Sequence, residues 1–204
     1  MRYISLNLNK TEHGCPTIPT VLTYKKHVFS KKRNIGFSLI ELMITVAIGA
    51  IAVTIAIPSL SSFTAKMRVD NEVSELQRLL LTTRNAAINS GQNASLCSLQ
   101  ANDTCQNINN WAGRVGVVSI DGLIREREAI QAGDRLQFAF NSVTYNPSGQ
   151  LSNNNIGLFT YCPRGLTDYS RGIDLSLSGR PYLSSDNNGD GKDQDRNNNN
   201  IVCN

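Results

Sequence analysis

From Phe37 to Ile57 the chain is apolar at every position except Ser38, Glu41, Thr45, Gly49 and Thr54. A run of 21 residues at 1.5 Å per residue makes a helix of about 32 Å, enough to cross a hydrocarbon core of about 30 Å. Beyond Pro58 the pattern turns from uniform to periodic. Val69, Val73, Leu76, Leu80 and Ala87 recur at three- and four-residue steps with Thr83 in the gap, while Arg68, Asp70, Glu72, Glu75, Arg78 and Arg84 take the other faces. Asn89-Ser90-Gly91 is a stop signal. The pattern predicts one helix from Phe37 to about Asn89, uniformly apolar first and amphipathic afterwards.

The rest of the chain alternates with a period of two. Strands are predicted at Val115–Ile120, closed by Asp121-Gly122, at Leu136–Phe140, at Val143–Tyr145 before the turn Asn146-Pro147-Ser148-Gly149, at Leu158–Cys162, and at Ile173–Ser178. Segment 92–112 reads as a polar, Asn-rich loop. Short antiparallel strands must bury one face, and the apolar stripe of the helix supplies the partner. The fold class expected is α+β: a long N-terminal helix on an antiparallel β head of roughly 110 residues, with one core and no second domain.

Charge gives the long helix an orientation. Lys31, Lys32 and Arg33 stand just ahead of the apolar run, so the preceding segment is expected to stay cytoplasmic and the head to be exported. Glu41 is then the anomaly. A carboxylate inside a membrane span costs roughly 2.5–3.5 kcal/mol on insertion scales, so it needs a partner. A cut after Gly36 would create one, because the new amine of Phe37 would lie one helical turn from Glu41, or beside the Glu41 of an adjacent subunit. A secretory signal with its apolar region at 39–57, or a plain signal anchor, is the alternative. Neither has a use for the acid.

The stretch Gly36-Phe37-Ser38-Leu39-Ile40-Glu41 resembles the processing motif of type IV pilins and type II secretion pseudopilins. The resemblance implies that a prepilin peptidase removes residues 1–36 after Gly36, that Phe37 is N-methylated, and that Glu41 guides filament assembly. It also implies a bend or end of the membrane helix at Pro58. The organisation expected is a leader over 1–36, a transmembrane and assembly helix over 37–57, and an amphipathic helix with periplasmic β head over 58–204. Residues 1–36 are long for such a leader and not apolar, so initiation is expected at Val28 from a non-AUG codon, leaving nine residues ahead of the cut.

Removing the leader changes the electrostatic picture. The whole chain has 20 basic and 16 acidic residues, net +4; seven and one of these lie in residues 1–36, leaving 13 and 15 and a net of −2. The basic balance belongs to the discarded segment, so any affinity for nucleic acid must come from a local patch. Of five cysteines, Cys15 falls in the leader, and Cys97, Cys105, Cys162 and Cys203 remain. Four cysteines allow three connectivities. The favoured pairing is Cys97–Cys105, closing a short loop, with Cys162–Cys203 anchoring the C-terminal tail, in keeping with an oxidising compartment. Metal ligation is disfavoured, since no Cys-x-x-Cys occurs and both histidines, His13 and His27, lie in the leader.

Phe159-Thr160-Tyr161-Cys162 through Leu175-Ser176-Leu177-Ser178-Gly179-Arg180 resembles the GspH/FimT group of minor pilins and pseudopilins, with Trp111–Val118 and Gly149 matching more loosely. Some members of that group implicated in DNA uptake carry Gly-Arg-x-Arg near the C-terminus. Here Gly179, Arg180 and Pro181 align, and Tyr182 stands in place of the second arginine. The resemblance thus implies a candidate DNA contact at Arg180 and Tyr182, with Arg164 and Arg171 as possible contributors. Asp168, Asp174 and the acidic tail oppose it. Asp186-Asn187-Asn188-Gly189-Asp190-Gly191 looks like the front of a calcium loop, but Asn197 occupies the place of the bidentate glutamate, and a surface loop is the favoured reading.

No histidine, Gly-rich phosphate loop or nucleophile motif lies beyond the leader, so no enzyme, metal or cofactor is expected. The expected function is a minor pilin or pseudopilin at or near a filament tip, inserted in the bacterial inner membrane with its N-terminus cytoplasmic. Its partners would be other pilins or pseudopilins, the prepilin peptidase and the membrane. Pilus initiation is favoured slightly over the H-type role in type II secretion, with DNA capture as a third reading.

Overall fold

The computed structural model describes residues 36–203. The basic cluster Lys31–Arg33, Cys15 and the rest of the expected leader ahead of Gly36 lie outside them. The chain divides into two units, Met1–Ile44 and Thr45–Asn204. In the first, the described residues are Gly36, Phe37 and Ser38 in irregular backbone and the opening turns of helix α1, which is assigned over Leu39–Ser90. The assignment is helical through position 58, so α1 does not end at Pro58.

In the second unit α1 buries the stripe its periodicity predicts. Val69, Leu79, Leu80, Thr83 and Ala87 are inaccessible to solvent, and Val73 and Leu76 nearly so. Each large side chain taken out of water contributes about 1.5–3 kcal/mol. Thr83 lies on this apolar face because its hydroxyl donates to the Leu79 carbonyl at 2.7 Å, leaving no unpaired donor.

The described residues hold eight strands, whose sheets cover that stripe: β1 (Ala94–Ser98), β2 (Val115–Ser119), β3 (Gly122–Arg127), β4 (Arg135–Gln137), β5 (Ser142–Tyr145), β6 (Gly157–Cys162), β7 (Arg171–Leu175) and β8 (Pro181–Leu183). They form two four-stranded antiparallel sheets, in the orders β3-β2-β1-β5 and β4-β6-β7-β8. Ser119 opposes Gly122 across a two-residue turn, and Gly122 has φ +104° there, a conformation that favours glycine. Alternation sets the inner faces: Ala94 and Leu96 on β1, Val115 and Val117 on β2, Phe159 and Tyr161 on β6, and Ile173 and Leu175 on β7 are all buried.

Three expectations need correction. The strand expected at Ile173–Ser178 ends at Leu175, because Ser176 to Gly179 form a turn in which the Gly179 amide donates to the Ser176 carbonyl at 2.9 Å. Segment 92–112 is not wholly a loop, because its start is β1, paired with both β2 and β5. Strand Leu136–Phe140 stops at Gln137, since loop side chains take the carbonyls a longer strand would use. Asn109 donates to the Phe138 carbonyl and the Trp111 indole to that of Phe140, both at 2.8 Å. The aromatic side chains still enter the core. Phe138 stacks on Phe159 with centroids 3.9 Å apart, and Trp111 meets Phe159 edge-on at 4.9 Å.

The polar faces of α1 grip the sheets. Arg68 donates to Asp134 at 2.8 Å, Glu75 accepts from Arg125 of β3 at 2.8 Å, and Asp70 pairs with Arg171 of β7 at 2.5 Å. Glu72 reaches the largely buried Arg127 at 3.3 Å, whose other terminal nitrogen donates to the Trp111 carbonyl at 2.7 Å. Burial pulls the Arg127 guanidinium below its ordinary range, opposed by the nearby Glu72.

Candidate functional site

The expected cleavage site lies in irregular, exposed backbone. Phe37 is 78% exposed, and the helical assignment begins two residues later, with the Leu42 amide donating to the Ser38 carbonyl at 3.1 Å. Glu41 sits in the first turn of α1, where unpaired amides and the helix dipole favour a negative charge. Leu39, Ile40, Leu42 and Met43 on either side of it are each 60% exposed or more, and so are Ile48, Ile51 and Ile55. α1 is long and apolar enough to cross a membrane, and none of its most apolar stretch is buried within the chain. An exposed apolar surface of this extent marks an interaction site with lipid or protein.

The four cysteines among the described residues lie in two bonds, Cys97–Cys105 and Cys162–Cys203, with Cα separations of 5.5 and 5.8 Å. The first joins central strand β1 to its following loop, which also closes through a bridge between Leu99 and Cys105. The second ties the end of the tail to the last residue of β6.

The four residues considered for DNA contact are not gathered into one patch. Tyr161 opposes Arg171, and Leu175 opposes Pro181. Arg164 therefore follows β6 at the end of β7 where Arg171 lies, while Arg180 precedes β8 at the other end, roughly 14 Å of strand away. Arg171 is occupied: besides Asp70, its guanidinium donates to Asp193 at 2.7 Å. Arg164 uses its backbone amide to donate to Asp134 at 2.8 Å, and its side chain packs over Gly133. Arg180 is exposed on the turn between β7 and β8, its amide donating to the Ser176 hydroxyl at 3.2 Å.

Tyr182 has a neighbour that sequence reasoning missed. The Arg196 guanidinium lies over its ring, 4.3 Å from the centroid, a cation–π contact. Tail-borne Arg196 thus stands beside the position where the second arginine of the motif is missing. No sequence signal marked it, because it lies among asparagines and aspartates without periodicity. Asp174 opposes Tyr182 across the strands. Burial raises the Asp174 carboxyl above its ordinary range against the pull of Arg196.

The tail is a strapped loop whose acids face their own backbone. Asp186 accepts the amides of Gly189 and Gly191 at 2.8 and 2.9 Å, Asp190 accepts that of Lys192 at 2.8 Å, and Asp195 accepts those of Asn197 and Asn199 at 2.8 Å. The bonds from Asp190 to Lys192 and from Asp195 to Asn197, each two residues on, are Asx turns. The Lys192 amide, with the Asn188 side chain, holds the Asp190 carboxyl below its usual range. Among the described residues no group of three or more His, Cys, Asp or Glu side chains gathers that could hold a metal ion. The strap is fastened by Asp193, buried and accepting from Ser184 at 2.6 Å, by Gln194, which bridges Ser185 and Asn200, and by Ile201 against Gly172.

Comparison with known proteins places this architecture. The model of the family described as type II transport protein GspH matches residues 72–179, and the prokaryotic N-terminal methylation motif matches residues 31–57. No curated protein matches the chain. Among solved structures the chain is similar to the Pseudomonas aeruginosa type IV minor pilin FimU, with 22% identity, 60% of this chain and 92% of that chain covered, and a TM-score of 0.48. It is also similar to the minor pseudopilin EpsH of the Vibrio cholerae type 2 secretion system, with 14% identity, coverage of 57% and 95%, and a TM-score of 0.40. Arg180, Tyr182 and the whole strapped tail lie beyond the matched family region. With more than half of its 204 residues matched, the chain belongs to the GspH family of type IV pilin-like subunits.

Proposed function

We propose that the chain is a minor pilin that enters a type IV pilus through its N-terminal helix, as part of the complex that initiates or tips the filament. The observation that carries this reading is Glu41, a lone acid in the first turn of a helix whose apolar side chains are exposed. Such a helix must be covered by lipid before assembly and by neighbouring helices afterwards. A prepilin peptidase cuts after Gly36 and discards 1–36, and Phe37 is methylated. Residues 37–57 anchor the subunit in the inner membrane with its N-terminus cytoplasmic. Residues 58–204 form the amphipathic helix and the periplasmic head. Glu41 then meets the amine of Phe37, its own or a neighbour's, and that pairing sets the register between subunits. The reading is structural rather than catalytic, in line with a family of filament subunits.

A second reading, the H-type pseudopilin of a type II secretion pseudopilus, has the description of the matched family in its favour. Deleting the gene separates the two. Loss of surface pili with normal protein secretion supports the pilus, and the reverse supports the pseudopilus. A DNA-capturing role rests on exposed Arg180 beside Tyr182 and Arg196. It predicts a gel shift with the protein that Arg180→Ala removes; a shift left unchanged takes Arg180 out of the site.

A further inference from the structure

The tail carries two dipeptides with a known chemical weakness, Asn188-Gly189 and Asp190-Gly191. Glycine exerts little steric hindrance on its own amide nitrogen, and a Cβ added at Gly189 or Gly191 would meet nothing within 4 Å. Neither site is shielded by packing. Both are held by one side chain: Asp186 accepts the Gly189 amide on Oδ1 at 2.8 Å and the Gly191 amide on Oδ2 at 2.9 Å. These two amide nitrogens are the nucleophiles of the side reactions.

We infer that Asn188 is a latent deamidation site and Asp190 a latent isomerisation site, and that the Asp186 carboxylate suppresses both by occupying the two glycine amides. At Asn188 the Gly189 nitrogen loses its proton to solvent and attacks Cγ. A new C–N bond closes a five-membered imide, the carboxamide C–N bond breaks, and ammonia leaves. Water then opens the imide at either carbonyl, giving aspartate or isoaspartate. At Asp190 the same attack by the Gly191 nitrogen expels water, and rehydration gives isoaspartate with no net change in mass. Both paths begin by deprotonating an amide that donates to a carboxylate. The resulting anion would face a like charge, which disfavours it.

The consequence reaches the strap. Asn188 Nδ2 donates to Asp190 Oδ2 at 3.0 Å, and Asn188 Oδ1 accepts from the buried Gln194 at 3.2 Å. Conversion to aspartate would replace that donor with an oxygen facing another carboxylate. The contact would become repulsive, loosening the loop next to Gln194 and Asp193, which hold the tail to β7.

The test follows the full-length protein in detergent at neutral pH by time-resolved peptide mass mapping, with enzymatic methylation to count isoaspartate. The comparisons are Asp186→Ala, Asp186→Asn and a synthetic peptide of residues 184–193. Since a hydrogen bond to a charged acceptor is of the size that changes a population about tenfold, Asn188 in the alanine variant and in the peptide should convert on the order of ten times faster than in the wild-type protein. The Asp186→Asn protein keeps an oxygen acceptor without the charge and should fall between. A wild-type rate equal to that of the peptide would overturn the inference. So would Asp186→Ala and Asp186→Asn proteins that convert no faster than wild type.

Discussion

The Tyr161 hydroxyl donates to the Asp134 carboxylate at 2.6 Å, joining core strand β6 to the acid that receives Arg68 from α1. Asp134 also accepts the Arg164 amide at 2.8 Å, and its side chain is 1% exposed. One buried carboxylate therefore fastens the helix, β6 and the following loop together.

Asp134 is expected to make head stability pH-dependent. Burial alone raises its carboxyl, but the Arg164 amide, the Tyr161 hydroxyl and Arg68 outweigh that and hold it below the usual range. A folded-state pKa below the unfolded value gives stability that is present above the unfolded pKa, about 4, and lost as pH falls through the folded one. Asp134→Asn should lose about 2–4 kcal/mol at neutral pH, because a buried charge-assisted cluster is broken. It should also show a flatter decline in acid. Urea unfolding across pH checks both; parallel acid profiles for the two proteins would contradict the assignment.

Gly179 and Gly91 both have positive φ, +75° and +65°, but their surroundings differ. A Cβ at Gly179 would strike the Gly149 carbonyl and the Tyr145 ring, whereas Gly91 faces open space. Gly91→Ala should therefore cost only the left-handed backbone penalty, about 1–2 kcal/mol. Gly179→Ala should cost clearly more, since backbone has to move. Equal losses in thermal unfolding would show that the approach of the two turns carries no constraint.

The two disulfides should differ in weight. Cys162–Cys203 spans 41 residues and Cys97–Cys105 spans eight. The chain-entropy relation gives roughly 4 and roughly 2.5 kcal/mol respectively. Replacing Cys162 and Cys203 by serine should be the more destabilising pair, and limited proteolysis should then cut first within 184–203. A tail equally protected without its bond would mean that Asp193, Gln194 and Ile201 hold it unaided.

Much of this fold was legible because its periods are long or clean. The stripe from Val69 to Ala87 and the alternation of β6 and β7 identify their own buried faces. β1 was not legible, because Ala94-Ser95-Leu96-Cys97-Ser98 is short, mixed in polarity and flanked by asparagines. β3 ends in Arg125-Glu126-Arg127, charges that read as loop until Glu75 and Glu72 are seen to receive the two arginines. β8 opens on Pro181, which is tolerated because β8 is an edge strand. At the candidate site, Gly36, Phe37 and Glu41 carry a local signal. The neutralisation of Arg171 by Asp70 and Asp193, and the placing of Arg196 over Tyr182, depend on partners far away in sequence.

On the proposed function, Glu41→Ala should leave leader removal intact, because the bond proposed to be cut lies ahead of the helix, and should strongly reduce incorporation into filaments. Immunoblots of membrane and sheared-filament fractions check this. Normal incorporation of the variant would remove Glu41 from assembly.

Intact-mass analysis of the chain extracted from membranes tests the central claim most directly. The expected mass is that of residues 37–204 with one methyl group on the Phe37 amine and both disulfides formed. A chain still carrying residues ahead of Phe37 would leave Glu41 without the positive charge that the proposal assigns to it, and would contradict the account.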